Sequence, residues 1–130
     1  MSIGQIILYV IAALVLISYV RKFVNNKKIR HYDPEEIIKR MKMNNVILLD
    51  VRTIPERKKN HIQSSIHIPL NQLRSRQEEL SKYKNKEIVC YCRSGNRSLN
   101  AAAFLQKQGF NAANLKGGIT AWNYRSQRQY

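Results

Sequence analysis

The feature that most constrains this chain is Glu87-Ile88-Val89-Cys90-Tyr91-Cys92-Arg93-Ser94-Gly95-Asn96-Arg97-Ser98, where an apolar run breaks into a polar loop. Ile88, Val89 and Tyr91 suit a buried strand, and the alanine-rich run that begins at Leu99 consists of good helix formers. Gly95 lets the chain turn between them. The unit therefore reads as strand, loop and helix, with Cys92 at the loop entry facing a helix N-terminus. Backbone N–H groups of such a loop, together with the partial positive charge of the helix end, form a nest for an anion. The anion at hand is the Cys92 thiolate or a group carried on it. Helix N-termini and nearby arginines lower a cysteine's pKa from about 8.5 toward roughly 3.5–7.5, and Arg93 and Arg97 supply the arginines.

The chain beyond residue 32 alternates strand and helix patterns. Asp33-Pro34-Glu35-Glu36 is a helix start, with Asp33 as N-cap, Pro34 at the first helical position and Glu36 three residues after the cap. That helix is expected to run to Met41 or Met43. Residues 46–51 are a continuous apolar run, as a parallel strand buried on both faces requires, and residues 65–68 and 113–115 read as shorter strands. Residues 53–60 are basic and irregular, with a short helical turn opened by Pro55, and Leu70, Leu73 and Leu80 keep helical spacing; both segments read as scaffold. Gly109 is expected to cap the helix after the loop, Gly117-Gly118 to turn, and residues 119–125 to form a last helix. Such alternation predicts an α/β fold with a mostly parallel sheet, which binds ligands beyond the carboxyl ends of its strands. Cys92 stands at such an end.

Cys92-Arg93-Ser94-Gly95-Asn96-Arg97-Ser98 resembles the active-site loop of rhodanese-like sulfurtransferases, in which a cysteine carries sulfur as a persulfide. Leu49-Asp50-Val51-Arg52, Glu56, His61-Ile62 and Ile68-Pro69 resemble the family's upstream motifs. Gly109-Phe110 and Leu115-Lys116-Gly117-Gly118-Ile119-Thr120-Ala121-Trp122 resemble its closing motif, so the likeness covers about residues 33–125. It implies a three-layer α/β/α rhodanese-like fold and Cys92 as the covalent carrier. Arg97 and the loop N–H groups would stabilise the persulfide, and Arg93, Ser94, Gly95 and Asn96 would bind an anionic donor such as thiosulfate or a persulfide. The acceptor would be a thiol or cyanide-like nucleophile, and no cofactor is implied. Within this likeness His61 and Asp50 read as members of the loop's hydrogen-bond network, Asp50 with Arg52 as its expected partner, and Trp122 reads as core. The chain departs from the pattern at Asn60, in place of a glycine, and at Ser64-Ser65, in place of Gly-Ala. Related phosphatase loops carry one residue more between cysteine and arginine, so this shorter loop points to a single sulfur rather than a phosphoryl group.

The two cysteines are too close in sequence for a disulfide framework and suit a reducing compartment; Cys90 reads as core. His31, His61 and His67 lack metal-ligand spacing, so no metal site is expected. A net charge of +15 raises nucleic acid as a partner, but Arg21, Lys22, Lys27, Lys28 and Arg30 crowd into one acid-free segment, which favours a membrane surface. Residues 3–20 carry no charge and at about 1.5 Å per residue span roughly 27 Å, against a hydrocarbon core of about 30 Å. A cleavable signal would need positive charge before this run and small residues after it, and neither is there. With Lys and Arg only on its C-terminal side, the positive-inside rule puts the domain in the cytoplasm.

The sequence thus predicts a membrane anchor over residues 1–24, a basic linker over 25–32 and a rhodanese-like domain over 33–130. The expected function is a single-pass membrane sulfurtransferase facing the cytoplasm. The alternative is a weakly catalytic relay module that docks a protein sulfur donor or acceptor; RNA binding through the basic surface is a third reading.

Overall fold

A computed structural model describes residues 1–24 and 28–127. The first helix, α1 (Ile3–Val24), is exposed from Ile3 to Arg21 and is long and apolar enough to cross a membrane. Residues 25–27, the start of the expected linker and including Lys27, lie outside the described residues. The expected linker is corrected at its end, because Arg30–Tyr32 forms β1, an edge strand paired parallel to β5 (Ala112–Leu115), with His31 opposite Asn114. Three residues, two of them exposed, are too short a run to show a strand's periodicity.

The remaining elements are α2 (Pro34–Lys42), β2 (Val46–Asp50), α3 (Ile54–Lys59), β3 (Ile66–His67), α4 (Leu73–Arg76) between 3-10 segments at Leu70–Gln72 and Gln77–Tyr83, β4 (Glu87–Tyr91), α5 (Asn96–Lys107) and α6 (Gly118–Gln127). The sheet is parallel throughout, in the order β1-β5-β4-β2-β3. Its central strands are continuous apolar runs because each face is covered. Leu49, Ile88, Cys90 and Ala112 pack on one face with Leu73, Leu80 and the Ala101, Ala102 and Leu105 stripe of α5. Leu48, Val89, Tyr91, Ala113 and Leu115 pack on the other with Ile37 of α2 and Ile119 of α6, and Trp122 lies half-buried against them. This is the three-layer α/β/α fold expected.

Helix ends follow local chemistry. Asp33 occupies the N-cap of α2 but its side chain makes no capping bond. Thr53 and Glu56 form a reciprocal capping box on α3. At the end of α5 the N–H of Gly109 reaches Gln106 O and that of Phe110 reaches Leu105 O, a Schellman closure with Gly109 at φ +90°.

Both departures from the family pattern acquire work. Asn60 is extended, needs no glycine, and accepts from Arg52 through its carbonyl (2.7 Å) and Oδ1 (3.3 Å). Ser65 Oγ accepts from Arg57 (2.8 Å) and meets the Tyr91 hydroxyl (2.9 Å). Ser64, by contrast, is exposed and sits at φ +68°, a conformation that strains a residue bearing a Cβ. Ser64→Gly is expected to stabilise the fold by about 0.5–1 kcal/mol, the relief outweighing the extra freedom of an unfolded glycine; the midpoint of urea unfolding measures it, and a midpoint that stays put or falls refutes the strain.

Candidate active site

The site lies where β2 and β4 end. Asp50, the last residue of β2, is fully buried, and its carboxylate accepts from the Arg52 backbone N–H (2.9 Å), from Arg52 Nε (3.0 Å) and Nη2 (2.9 Å), and from the Tyr91 hydroxyl (3.1 Å). Burial pushes this carboxyl up, but the Arg52 bonds outweigh it and hold its pKa below the ordinary value. The expected Asp50–Arg52 pairing is therefore present. Arg52 is itself only 3 % exposed and goes on to grip Asn60 of the loop after α3. His61 is exposed and contacts the Arg57 carbonyl at 3.4 Å.

One residue beyond β4, Cys92 is 1 % exposed. The N–H of Gly95, the N-cap of α5, donates to its Sγ at 3.1 Å, and Ser98 Oγ lies 3.3 Å away. Burial raises the thiol's pKa; the Ser98 hydroxyl and the N–H groups of Ser98, Gly95 and Ser94 more than offset this and set it below the ordinary value. Cys90, two residues earlier, is completely buried with no such donors, and burial drives its pKa far up.

The arginines have partners that the sequence did not mark. Arg97 points its guanidinium at Glu56 of α3, with both bonds short (2.7 and 2.8 Å), so its influence on Cys92 is through space rather than by contact. This bond first, and the Thr53 donors after it, hold the Glu56 carboxyl down to about 2. A depressed carboxylate keeps its pairing above its ordinary value and loses it only as pH falls through about 2, so the pair is intact at neutral pH. Arg93, Ser94 and Asn96 are exposed. Arg93 keeps its backbone in place by accepting on its carbonyl from the Thr120 N–H (3.3 Å) and hydroxyl (3.0 Å).

Beside the loop opens a cleft of about 590 Å³ between α3 and α6, lined by Arg52, Glu56, Lys59, Asn60, Arg93, Ile119, Thr120, Asn123 and Tyr124. The segment at residues 53–60, expected as scaffold, thus supplies one wall. The close approach of α6 to the loop depends on Gly118: a Cβ there would run into the Cys92 carbonyl and stand 2.6 Å from that of Arg93. Three polar residues also proved to belong to the site. Ser98 Oγ lies 2.6 Å from Asn114 Oδ1, and Asn114 Nδ2 lies 3.1 Å from His31 Nδ1. Ser98 was legible as a hydroxyl one turn into the helix, whereas nothing local marks Asn114 or His31. Among the described residues no cluster of His, Cys, Asp or Glu could hold a metal ion.

The rhodanese-like domain model matches residues 33–125. A sulfurtransferase of Allochromatium vinosum is 35% identical over 96 residues, covering 72% of this chain and 88% of that protein. The adenylyltransferase and sulfurtransferase UBA4 of Yarrowia lipolytica is 38% identical over 76 residues, 58% of this chain but 19% of that longer protein. The uncharacterized protein YqhL of Bacillus subtilis is 32% identical over 120 residues, 92% of this chain and 93% of its own, a match that runs into α1. Among solved structures, a rhodanese-related protein of Thermoplasma volcanium superposes with a TM-score of 0.67 at 30% identity, over 74% of this chain and 92% of that one.

Ser98→Ala removes the hydroxyl beside Sγ, and a hydrogen bond to a charged group contributes about 1.5–3 kcal/mol, so the Cys92 pKa is expected to rise by at least about one unit. Thiolate absorbance followed against pH reads the shift; an unmoved curve would leave the backbone N–H groups as the sole cause.

Proposed function

Because the chain belongs to the rhodanese-like domain family, we propose that it is a sulfurtransferase that carries sulfane sulfur on Cys92. The carrying observation is a thiol held toward its anionic form by Ser98 and loop N–H groups at the N-terminus of α5. The thiolate attacks the outer sulfur of thiosulfate or of a persulfide. The new Sγ–S bond forms as the donor's S–S bond breaks, releasing sulfite or a thiolate. The acceptor, a thiolate or cyanide, then attacks the terminal sulfur and breaks the Sγ–S bond, returning the Cys92 thiolate. Charge balances at each step and no external oxidant or reductant is needed.

The free N–H groups of the loop stabilise the terminal sulfur, and Arg97, poised by Glu56, adds positive charge nearby. Arg93 and Lys59 line the cleft and favour a negatively charged donor. The A. vinosum relative bears the name sulfurtransferase, which supports the reading. A relay to a protein partner is the second reading, favoured by the similar domain within UBA4, a longer protein named for two activities.

We also propose that α1 anchors the chain, with the domain on the cytoplasmic side where Arg21, Lys22 and Lys28 lie. Support comes from the helix's exposed apolar surface and from the YqhL match that runs into it. The full chain is expected to stay with membranes through a high-salt wash, while a fragment lacking residues 1–24 stays soluble and still loads sulfur; release by salt alone would make the helix peripheral.

The decisive test of the chemistry is intact mass after incubation with thiosulfate or a low-molecular-weight persulfide. Wild type is expected to gain the mass of one sulfur, Cys90→Ser to gain it as well, and Cys92→Ser to gain nothing. Hydrolysis of an aryl phosphate that depends on Cys92 would overturn the sulfurtransferase reading, since the short loop is built around one atom rather than a phosphoryl group's three oxygens.

A further inference from the structure

We propose that His31 is a positioning residue: a proton on its Nδ1 turns the Asn114 amide so that the Ser98 hydroxyl proton is free to serve the Cys92 thiolate. The inference rests on Cys92 reacting as a thiolate, but not on which donor it meets.

The argument is a count of protons. Ser98 Oγ has one proton and three neighbours, Cys92 Sγ at 3.3 Å, Gly95 O at 3.0 Å and Asn114 Oδ1 at 2.6 Å. With the Asn114 oxygen toward Ser98, two of these neighbours can only accept. The two oxygens then compete with Sγ for that proton, an arrangement suited to a thiol that donates its own S–H. In that state Asn114 Nδ2 donates to His31 Nδ1 across 3.1 Å, so Nδ1 carries no proton.

Reversing the amide reverses every bond in the line. Asn114 Nδ2 then donates to Ser98 Oγ, and its Oδ1 faces His31 Nδ1, which must carry a proton. Ser98 can now give its proton to the thiolate, and a bond to a charged acceptor prevails over one to the neutral Gly95 carbonyl. Ser98 and Asn114 are buried, with Ser98 wholly inaccessible and Asn114 4 % exposed, so water does not compete along this line. His31 at its far end is exposed and open to protons from solvent.

The charged groups around the line are committed elsewhere. Arg30 on the same strand holds Glu87 of β4 and Asn111, and Tyr32 beside it lies against that same Glu87. Arg97 of α5 holds Glu56 and Cys90 of β4 is buried and protonated, while Lys116, which follows β5, is exposed to solvent. His31 precedes the matched family span, which begins at residue 33. It sits on β1, paired beside Asn114 of β5.

The test uses the full chain in detergent, with each histidine's ring protons followed by NMR against pH and the His31 signal assigned by its loss in His31→Gln. Coupling between two sites is reciprocal, so the His31 pKa is expected to lie higher in wild type, above the Cys92 ionisation, than in Cys92→Ala, by roughly half a unit or more, about threefold in proton affinity. In parallel, thiolate absorbance of wild type is expected to rise with pH more gradually than a single ionisation, because the thiolate and the His31 proton favour one another. In His31→Gln it is expected to follow one ionisation. An identical His31 titration with and without the thiol overturns the proposal. So does a His31→Gln variant whose thiolate curve keeps the wild-type shape, whether displaced or not, because a merely structural loss would displace the curve without sharpening it.

Discussion

The carboxylate of Asp50 is the constraint on which the site depends. A charge with no accessible surface at the end of a central strand is tolerable only if every lone pair finds a donor, and the surrounding elements are arranged to provide them. Arg52 turns back on it from the next loop, Tyr91 reaches it from β4, and Arg57 approaches from α3 at 3.4 Å. Each donor is also fastened at another point: Arg52 to Asn60, Tyr91 to Ser65 and the Ile62 N–H, Arg57 to Ser65. The result fixes α3 over the end of the sheet, and α3 carries Glu56 to Arg97. Removing one member of a buried charged pair leaves the other uncompensated, at about 3–5 kcal/mol. The geometry of the Cys92 loop is therefore inherited from a buried carboxylate on the neighbouring strand.

What the sequence made legible was local. The apolar strand, the glycine-bearing loop and the alanine-rich helix after Cys92 are contiguous, and each local choice agrees with the fold that results. The same holds for Gly109, whose closing bonds are made to residues of the preceding turn. The missed contacts join distant positions: Arg97 to Glu56 across 41 residues, Ser98 to Asn114 across 16, and Asn114 to His31 across 83. No periodicity marks such pairs, because they are set by which strands lie side by side. Arg97 was therefore read only for its charge beside Cys92, and its pairing with Glu56 was not seen. β1 escaped notice for a related reason, since its place in the sheet comes from β5 rather than from any propensity of Arg30-His31-Tyr32.

Cys90 and Cys92 show how little chain separates a thiol whose pKa is pushed up from one whose pKa is held down. Both are buried and both belong to the same apolar cluster, so burial alone would make both poor nucleophiles. The difference is that β4 ends at Tyr91. Cys90 lies within the ladder, where the neighbouring N–H groups are spent on strands β2 and β5. Cys92 lies one step past it, where the chain turns and α5 begins with N–H groups that no carbonyl has claimed. Those donors can gather around a sulfur only because the Cys92 and Arg93 carbonyls are drawn the other way, onto the N–H groups of Ile119 and Thr120. That pull needs α6 to start against the loop, and Gly118, at φ +58°, is the residue whose missing side chain allows it. The low-pKa cysteine is thus made by the end of a strand, the start of one helix and the absence of a single carbon at the start of another.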